Sequence, residues 1–99
     1  MRMPRKLSGA LERVIADEAP ATLLAEVQRV WPDACGAAIA TRSEPVAERA
    51  GTVTIACESG VWAQELELIG EQLRARLDER IGAGRVAALR FTADLSRHR

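Results

Sequence analysis

The stretch that decides the fold of this chain is GTVTIACESGVWAQELELIGEQLRARLDERI, residues 51–81. In its first part, residues 52–57, apolar side chains alternate with smaller or polar ones, and this period of two predicts a half-buried strand. The hydroxyl of Ser59 can then cap a helix by accepting a bond from a free backbone N–H. Beyond it, apolar residues recur at spacings of three or four and predict one amphipathic helix of about 20 residues. The residues of its buried stripe are Trp62, Leu66, Ile69, Leu73 and Leu77.

Two apolar residues of the predicted helix fall off this stripe. Val61 begins the helix, and Leu68 lies outside the seam that contains Leu66 and Ile69. Single exposed apolar residues are common and mean little alone. Two alternatives are therefore open for Leu68. It packs under a helix near the N-terminus, or it belongs to a small exposed apolar surface bordered by glutamates.

The composition is that of one small globular domain. The chain has 99 residues, of which 47% are hydrophobic and 28% charged, so it is globular rather than disordered. Fourteen basic and fourteen acidic residues give a net charge of zero, and the molecule as a whole is not strongly attracted to phosphate. From residue 67 onward, however, seven arginines stand against five acidic residues. We expect a single domain over residues 1–99, with residues 1–6 and 94–99 as flexible tails.

The two cysteines, Cys35 and Cys57, are 22 positions apart and form no C-x-x-C motif. This spacing alone leaves a disulfide open, but the chain shows no secretory signal and no apolar run near 18 residues. The simpler interpretation is therefore that both thiols are reduced and buried in a cytoplasmic protein. We also expect no association with a membrane. The single histidine, His98, lies in the predicted C-terminal tail, where we expect it to be solvated.

Two helices are predicted before the central stretch. The first begins near Leu7 and ends before Pro20, because the residue that precedes a proline is disfavoured in the helical region. Thr22 can cap the second helix. Pro32 lacks a backbone donor, so the second helix is expected to kink or restart there. The buried stripe of the second helix consists of Leu23, Leu24, Val27, Val30 and Trp31.

The remaining signals predict two further strands. Residues 41–48 form one strand, and Pro45 confines it to a sheet edge or a bulge. A turn at residues 49–51 joins it to the central strand, with Gly51 able to supply a positive φ. Gly82 ends the long helix, and residues 86–92 form the last strand. The predicted fold is α+β, in the order helix, helix, strand, strand, helix, strand, with a three-stranded sheet and helices on one face.

A search for catalytic or ligand-binding motifs does not indicate an enzyme. The one histidine lies in the predicted tail, so no Ser/His/Asp or Cys/His set is indicated, and no glycine-rich phosphate loop occurs. The sequence offers no set of ligands for a metal site. Acidic pairs such as Glu65 and Glu67 are ordinary solvated residues. We therefore predict no cofactor, no metal and no catalytic residue.

One series of residues resembles a known family. The series comprises Val30-Trp31-Pro32, Gly36, Ile39, Pro45, Gly51 before Val53-Thr54-Ile55, the run SGVWAQEL at residues 59–66, and Leu89-Arg90-Phe91. Its order and spacing resemble the bacterial DciA family over nearly the whole chain. The resemblance implies a domain similar to KH folds and to the N-terminal domain of DnaA. It also implies association with the replicative helicase, of the DnaB type, whose loading onto DNA the family assists, and binding of DNA, which is expected to be single-stranded and weak.

This resemblance leads to two functional hypotheses. The first is a non-enzymatic replication adaptor that binds the helicase. The second is a generic KH-like protein that binds single-stranded nucleic acid, although the G-x-x-G loop of KH domains is absent. A purely structural subunit is a third possibility.

Each hypothesis selects its own residues. For the adaptor, the expected partner-binding residues are Val61, Trp62, Glu65 and Leu68, although Trp62 can equally be a core residue because it begins the buried stripe. For nucleic acid, the candidate residues are basic side chains that could follow a phosphate backbone. These are Arg2, Arg5, Lys6, Arg74, Arg85, Arg90, Arg97 and Arg99.

Overall fold

The structure is a computed structural model and describes residues 22–98. Its first helix, α1, comprises Leu23–Cys35. The predicted first helix and residues 1–6 lie outside this part. As predicted, Thr22 caps α1, its hydroxyl accepting a bond from the Ala25 N–H at 3.0 Å. The helix does not restart at Pro32 but continues through it to Cys35, so the loss of one backbone donor is not enough to end the helix there. It ends at Gly36, whose φ of 91° is left-handed, and a short helix α2 (Ala37–Ala40) follows.

Strands β1 (Ser43–Arg49) and β2 (Thr52–Cys57) form an antiparallel hairpin. Both predictions for Pro45 are confirmed: β1 is an edge strand, and its register shifts between Pro45 and Ala47. The hairpin turn consists of Ala50 and Gly51, with φ of 51° and 87°. Two positive φ angles in a two-residue turn are the requirement of the type I′ hairpin, which fits the twist of the strands.

The prediction of a single long helix after β2 is wrong. The chain forms α3 (Gly60–Leu68) and α4 (Gly70–Ile81), and Ile69 between them has φ −109° and ψ 18°, outside the helical region. Gly70 lies against Phe91: a Cβ at Gly70 would stand 3.4 Å from the Phe91 ring. The break therefore occurs beside a glycine, which has a weak helix propensity and which here contacts the ring of Phe91. The Ser59 cap is confirmed, its hydroxyl accepting from the Trp62 N–H.

Strand β3 (Ala88–Thr92) pairs with β2 in parallel and completes a mixed sheet in the order β1-β2-β3. Gly82 ends α4 as predicted, with φ 111° and its N–H bonded to the Asp78 carbonyl. The α+β class, the three strands and the order of the described elements are confirmed. The similarity to KH folds stays a prediction.

One hydrophobic core lies between the helices and one face of the sheet, called here the inner face. Leu66, Leu73 and Leu77 of the predicted stripe are buried, whereas Trp62 and Ile69 are partly buried against the core. Trp31 is buried among residues of α1, and its indole N–H donates to the Ser43 hydroxyl, which in turn donates to the Ile39 carbonyl. The other buried members of the core are Val27, Val30, Ala34, Cys35, Val53, Ile55, Cys57 and Val86.

The opposite face of the sheet, the outer face, is covered at one end only. Leu95 and Ala56 are both buried, yet neither belongs to the main core cluster. Ala56 follows Ile55, which faces the core, so it points to the outer face. Leu95 begins a 3₁₀ helix (Leu95–His98) that contacts β1 and β2. The described residues of the predicted flexible tail at 94–99 are thus folded onto the sheet, because Leu95 finds an apolar site there.

Candidate partner-binding and nucleic-acid surfaces

Helix α3 presents two large apolar side chains to solvent. Val61 is 70% exposed and Leu68 is 79% exposed, so the structure places Leu68 on the surface. They are seven positions apart, which is two helical turns, and therefore lie on one side of α3 about 10 Å apart. Glu65, also exposed, stands between them on the same side. Three of the four predicted partner-binding residues thus form one exposed line along α3.

Trp62, the fourth, lies at the border between this line and the core. One part of its side chain packs against the core cluster, and the residue is partly exposed. The guanidinium carbon of Arg42 stands 5.7 Å from the centroid of the indole ring, within the range of a cation–π contact. Arg42 is held by the Glu58 carboxylate, to which it donates at 2.6 Å. Trp62 therefore packs against the core and leaves part of its ring at the surface, and its contact with a partner stays a prediction.

Arg42 was missed in the sequence because it stands 20 positions before Trp62. It reaches the ring through the pairing of the segments that flank the hairpin, where the Glu58 N–H donates to the Arg42 carbonyl at 2.9 Å. No local periodicity signals such a contact. We call the group of Val61, Trp62, Glu65, Leu68 and Arg42 the α3 surface. Its apolar ends, aromatic ring and mixed charges are what a protein partner can cover.

Two of the predicted nucleic-acid arginines are engaged in contacts within the fold. Arg74 donates to the Glu71 and Asp78 carboxylates and to the Val86 carbonyl, and its hydrogen bond to Glu71 raises the pKa of its guanidinium. Arg85 donates through both terminal nitrogens to Glu26, each at 2.7 Å. This two-pronged bond joins the segment after α4 to α1, and it lowers the pKa of the Glu26 carboxyl. Both side chains thus serve tertiary structure.

Two other predicted arginines, Arg90 and Arg97, lie on the outer side of the sheet. Arg90 is exposed on β3 beside Thr54 of β2, and Arg97 is exposed on the 3₁₀ helix. Arg49 of β1, which the sequence interpretation missed, pairs with Thr52 and faces the same side. Within residues 22–98, none of these three arginines forms an ion pair. The remaining candidates, Arg2, Arg5, Lys6 and Arg99, lie outside the described residues.

A concavity of about 610 Å³ occupies this open part of the outer face. Threonine hydroxyls and alanines form its floor, and an arginine stands on each edge strand. The Glu48 carboxylate at its rim accepts the Gly51 N–H at 2.8 Å. With two arginines against one glutamate, this surface carries a net positive charge that suits a phosphate backbone, and its lining offers no aromatic ring for base stacking. Its lining is Ala47, Glu48, Arg49, Ala50, Thr52, Thr54 and Arg90.

The part of the chain that the structure describes holds no arrangement suited to metal or thiol chemistry. No group of three or more His, Cys, Asp or Glu residues there could hold a metal ion. Cys35 and Cys57 are free and buried, and burial raises the pKa of each thiol to about 11, so few thiolates form near neutral pH. Nor is any of the helices between residues 22 and 98 long and apolar enough to cross a membrane.

Comparison with known proteins identifies the family. The family model described as "Dna[CI] antecedent, DciA" matches residues 6–91. A UPF0232 protein of Streptomyces avermitilis is 34% identical over 94 residues, which cover 90% of this chain and 51% of that protein. A UPF0232 protein of Rhodococcus jostii is 32% identical over 87 residues, covering 85% and 46% respectively. The chain thus spans about half the length of these curated relatives. On the match of the family model to most of its length, this chain belongs to the DciA family.

Proposed function

We propose that this protein is a non-enzymatic adaptor of DNA replication that binds the replicative helicase, of the DnaB type, and assists its loading onto DNA in the cytoplasm. One observation carries the proposal: a chain of the DciA family exposes the apolar line of Val61 and Leu68 beside a partly buried tryptophan. Of the three aromatic side chains, Trp31 is buried whereas Trp62 is only partly buried, so a partner can cover the part of its ring that is still exposed.

The α3 surface has the features of a binding hot spot. Hot spots are enriched in tryptophan and arginine, lie in the centre of an interface and are surrounded by contacts that exclude water. Trp62 and Arg42 are stacked together, and Val61 and Leu68 lie on either side of Glu65 on the exposed face of α3. Because Arg42 already holds one face of the ring, little side-chain freedom is lost when a partner binds, which favours affinity.

The adaptor is tested by mixing the purified chain with the replicative helicase of the same organism on a sizing column. We expect co-elution, and we expect Leu68→Glu to weaken binding at least tenfold, since it places a charge in a desolvated contact. Ala75→Glu is the matched control, because it adds the same charge at an exposed position of α4. The melting temperatures of both variants should stay close to that of the wild type. Equal helicase binding by Leu68→Glu and Ala75→Glu contradicts a role of the α3 surface.

A second activity, weak binding of single-stranded DNA, is supported by the outer face of the sheet. Arg49, Arg90 and Arg97 are charges without an ion pair in the described chain, and the first two border the concavity. Three phosphate contacts predict a salt dependence that weakens binding about 20-fold between roughly 50 and 200 mM salt.

Titration of labelled oligothymidylate at the two salt concentrations measures this dependence. The double variant Arg49→Ala, Arg90→Ala should lose most of the affinity and flatten the salt slope. Arg42→Ala, which removes one charge from the α3 surface, is the control. No binding at the low salt concentration overturns the second activity and leaves the helicase proposal intact.

A further inference from the structure

The two edges of the sheet differ in how they are protected. On β1, Pro45 removes a donor, the register shifts between Pro45 and Ala47, and the Gln28 side chain donates to the Pro45 carbonyl at 2.9 Å. Prolines, bulges and side chains that cover the edge are the means by which proteins keep an edge strand from pairing with another chain. On β3 the register with β2 is continuous from Ala88 to Thr92, and the strand contains no proline.

The hydrogen-bond pattern shows which backbone groups of β3 face outward. The Gly51 carbonyl, next to β2, accepts from the N–H groups of both Ala87, at 2.8 Å, and Ala88, at 3.4 Å, and the regular ladder of β3 begins at Ala88. Successive residues of a strand point their N–H and C=O groups to opposite sides, so Arg90 and Thr92 also bond to β2. The N–H and C=O groups of Leu89 and Phe91 therefore point to the open edge. Between residues 22 and 98, no segment outside the sheet forms a backbone hydrogen bond with Leu89 or Phe91.

The side chains of β3 alternate in a way that suits one kind of added strand. Leu89 and Phe91 lie on the inner face beside Val53 and Ile55, and both are only partly buried, so apolar side chains of an added strand would complete this face. Arg90, between them, is exposed on the outer face and forms no ion pair with a described residue. An acidic side chain directly opposite Arg90 is the favourable neighbour.

We infer that the edge of β3 that no strand of residues 22–98 covers binds an extended segment of the helicase by strand addition, with an acidic residue of that segment opposite Arg90 and apolar residues on either side of it. This inference rests on the proposed adaptor function and names how the partner is held. Helix α3 contacts β3, so the edge and the α3 surface belong to neighbouring elements that one partner can reach together. In such recognition the main-chain hydrogen bonds supply affinity and the alternating side chains supply specificity.

A second copy of this chain is the less favourable occupant of the same edge. Two β3 strands that pair antiparallel about their centre place the two Arg90 side chains directly opposite each other, and like charges in that position are destabilising. A nucleic acid is also less suitable, since this edge offers backbone donors and acceptors in alternation rather than a row of cations.

Hydrogen exchange, quenched and read at residue resolution by mass spectrometry, tests the inference in the full chain without DNA. In the helicase complex we expect the Leu89 and Phe91 amides to exchange at least about tenfold more slowly than in the free chain. The Val46 amide, in the β1 bulge, is the internal control and should not change. Arg90→Glu should weaken helicase binding about tenfold, whereas Arg97→Glu, the same charge reversal on the 3₁₀ helix, should change it less than about twofold.

The outcomes separate this inference from the adaptor proposal. If the helicase binds and the Leu89 and Phe91 amides keep their free exchange rates, strand addition is wrong and the adaptor stands. If these amides become protected in the chain alone as its concentration rises, a second copy occupies the edge and the inference is overturned. If no helicase binds at all, both the adaptor proposal and strand addition fail.

Discussion

The opposite environments of Leu66 and Leu68 lead to a sharp prediction about α3. The two leucines are two positions apart on one helix, but Leu66 is 2% exposed within the core and Leu68 is 79% exposed. Replacing each by alanine removes the same atoms, so that any difference in stability comes from the environment alone.

The magnitudes follow from burial. Leu66→Ala leaves a cavity between α3 and the sheet and should lower the free energy of unfolding by about 3 kcal/mol, within the range of about 2–5 kcal/mol for buried leucines. For a domain of this size that corresponds to a fall of roughly 12–24 °C in melting temperature. Leu68→Ala loses almost no buried area and should change the free energy of unfolding by less than about 0.5 kcal/mol.

Urea denaturation followed by circular dichroism measures both variants against the wild type. Equal m-values for the three proteins serve as the control that the unfolded states are comparable. A loss of more than about 1.5 kcal/mol for Leu68→Ala would show that this side chain is buried in solution. The α3 surface would then not be an exposed docking site, and the orientation of α3 argued here would be refuted.

Three further predictions concern the turn, one ion pair and the thiols. Ala50 has a φ of 51°, which costs an alanine about 1 kcal/mol, so Ala50→Asn should raise the free energy of unfolding by about 0.5–1 kcal/mol in urea titrations; a loss of stability would contradict the left-handed turn. The hydrogen bond from Arg85 lowers the pKa of the Glu26 carboxyl from 4.5, so this bond stabilises the fold above pH 4.5 and the contribution is lost as the pH falls through the lowered value. The difference in melting temperature between the wild type and Arg85→Ala should therefore shrink below pH 4.5, and a difference that grows there would contradict the pairing. Because burial raises the pKa of Cys35 and Cys57 from 9.0 to about 11, their thiolate fraction near pH 8 is lowered about 100-fold, and a disulfide reagent should react slowly before unfolding and rapidly after it.

Much of the local structure follows from short-range signals in the sequence. The alternation in residues 52–57 predicted β2, and the hydroxyls of Thr22 and Ser59 predicted the caps of α1 and α3. A proline cannot donate to a sheet ladder, and this property alone placed Pro45 at an edge with a bulge. These features could be predicted because their causes act within a few residues of the chain.

The break at Ile69 shows where local signals were insufficient. The apolar stripe continues with helical spacing through this position, so periodicity alone predicts one helix. The chain nevertheless leaves the helical region there, where Gly70 meets the ring of Phe91 from a strand 21 positions later. Helix propensities are weak and hardly distinguish one long helix from two shorter ones. Packing against the sheet therefore decides where the helix breaks.

The candidate sites divide in the same way. The tertiary structure decided that Leu68 is exposed and not packed under another helix. That Val61 and Leu68 lie off the buried stripe could be predicted from the sequence, because it depends on the angle of a residue around its own helix. The roles of the arginines could not be predicted from the sequence. Arg85 is bound to Glu26 across 59 positions, Arg42 covers Trp62, and Arg49 and Arg90 share the outer face only because β1 and β3 flank the same central strand. Which charge meets which partner depends on distances that exist only once the sheet has formed, and so the tertiary structure alone decides which cations remain open to a ligand.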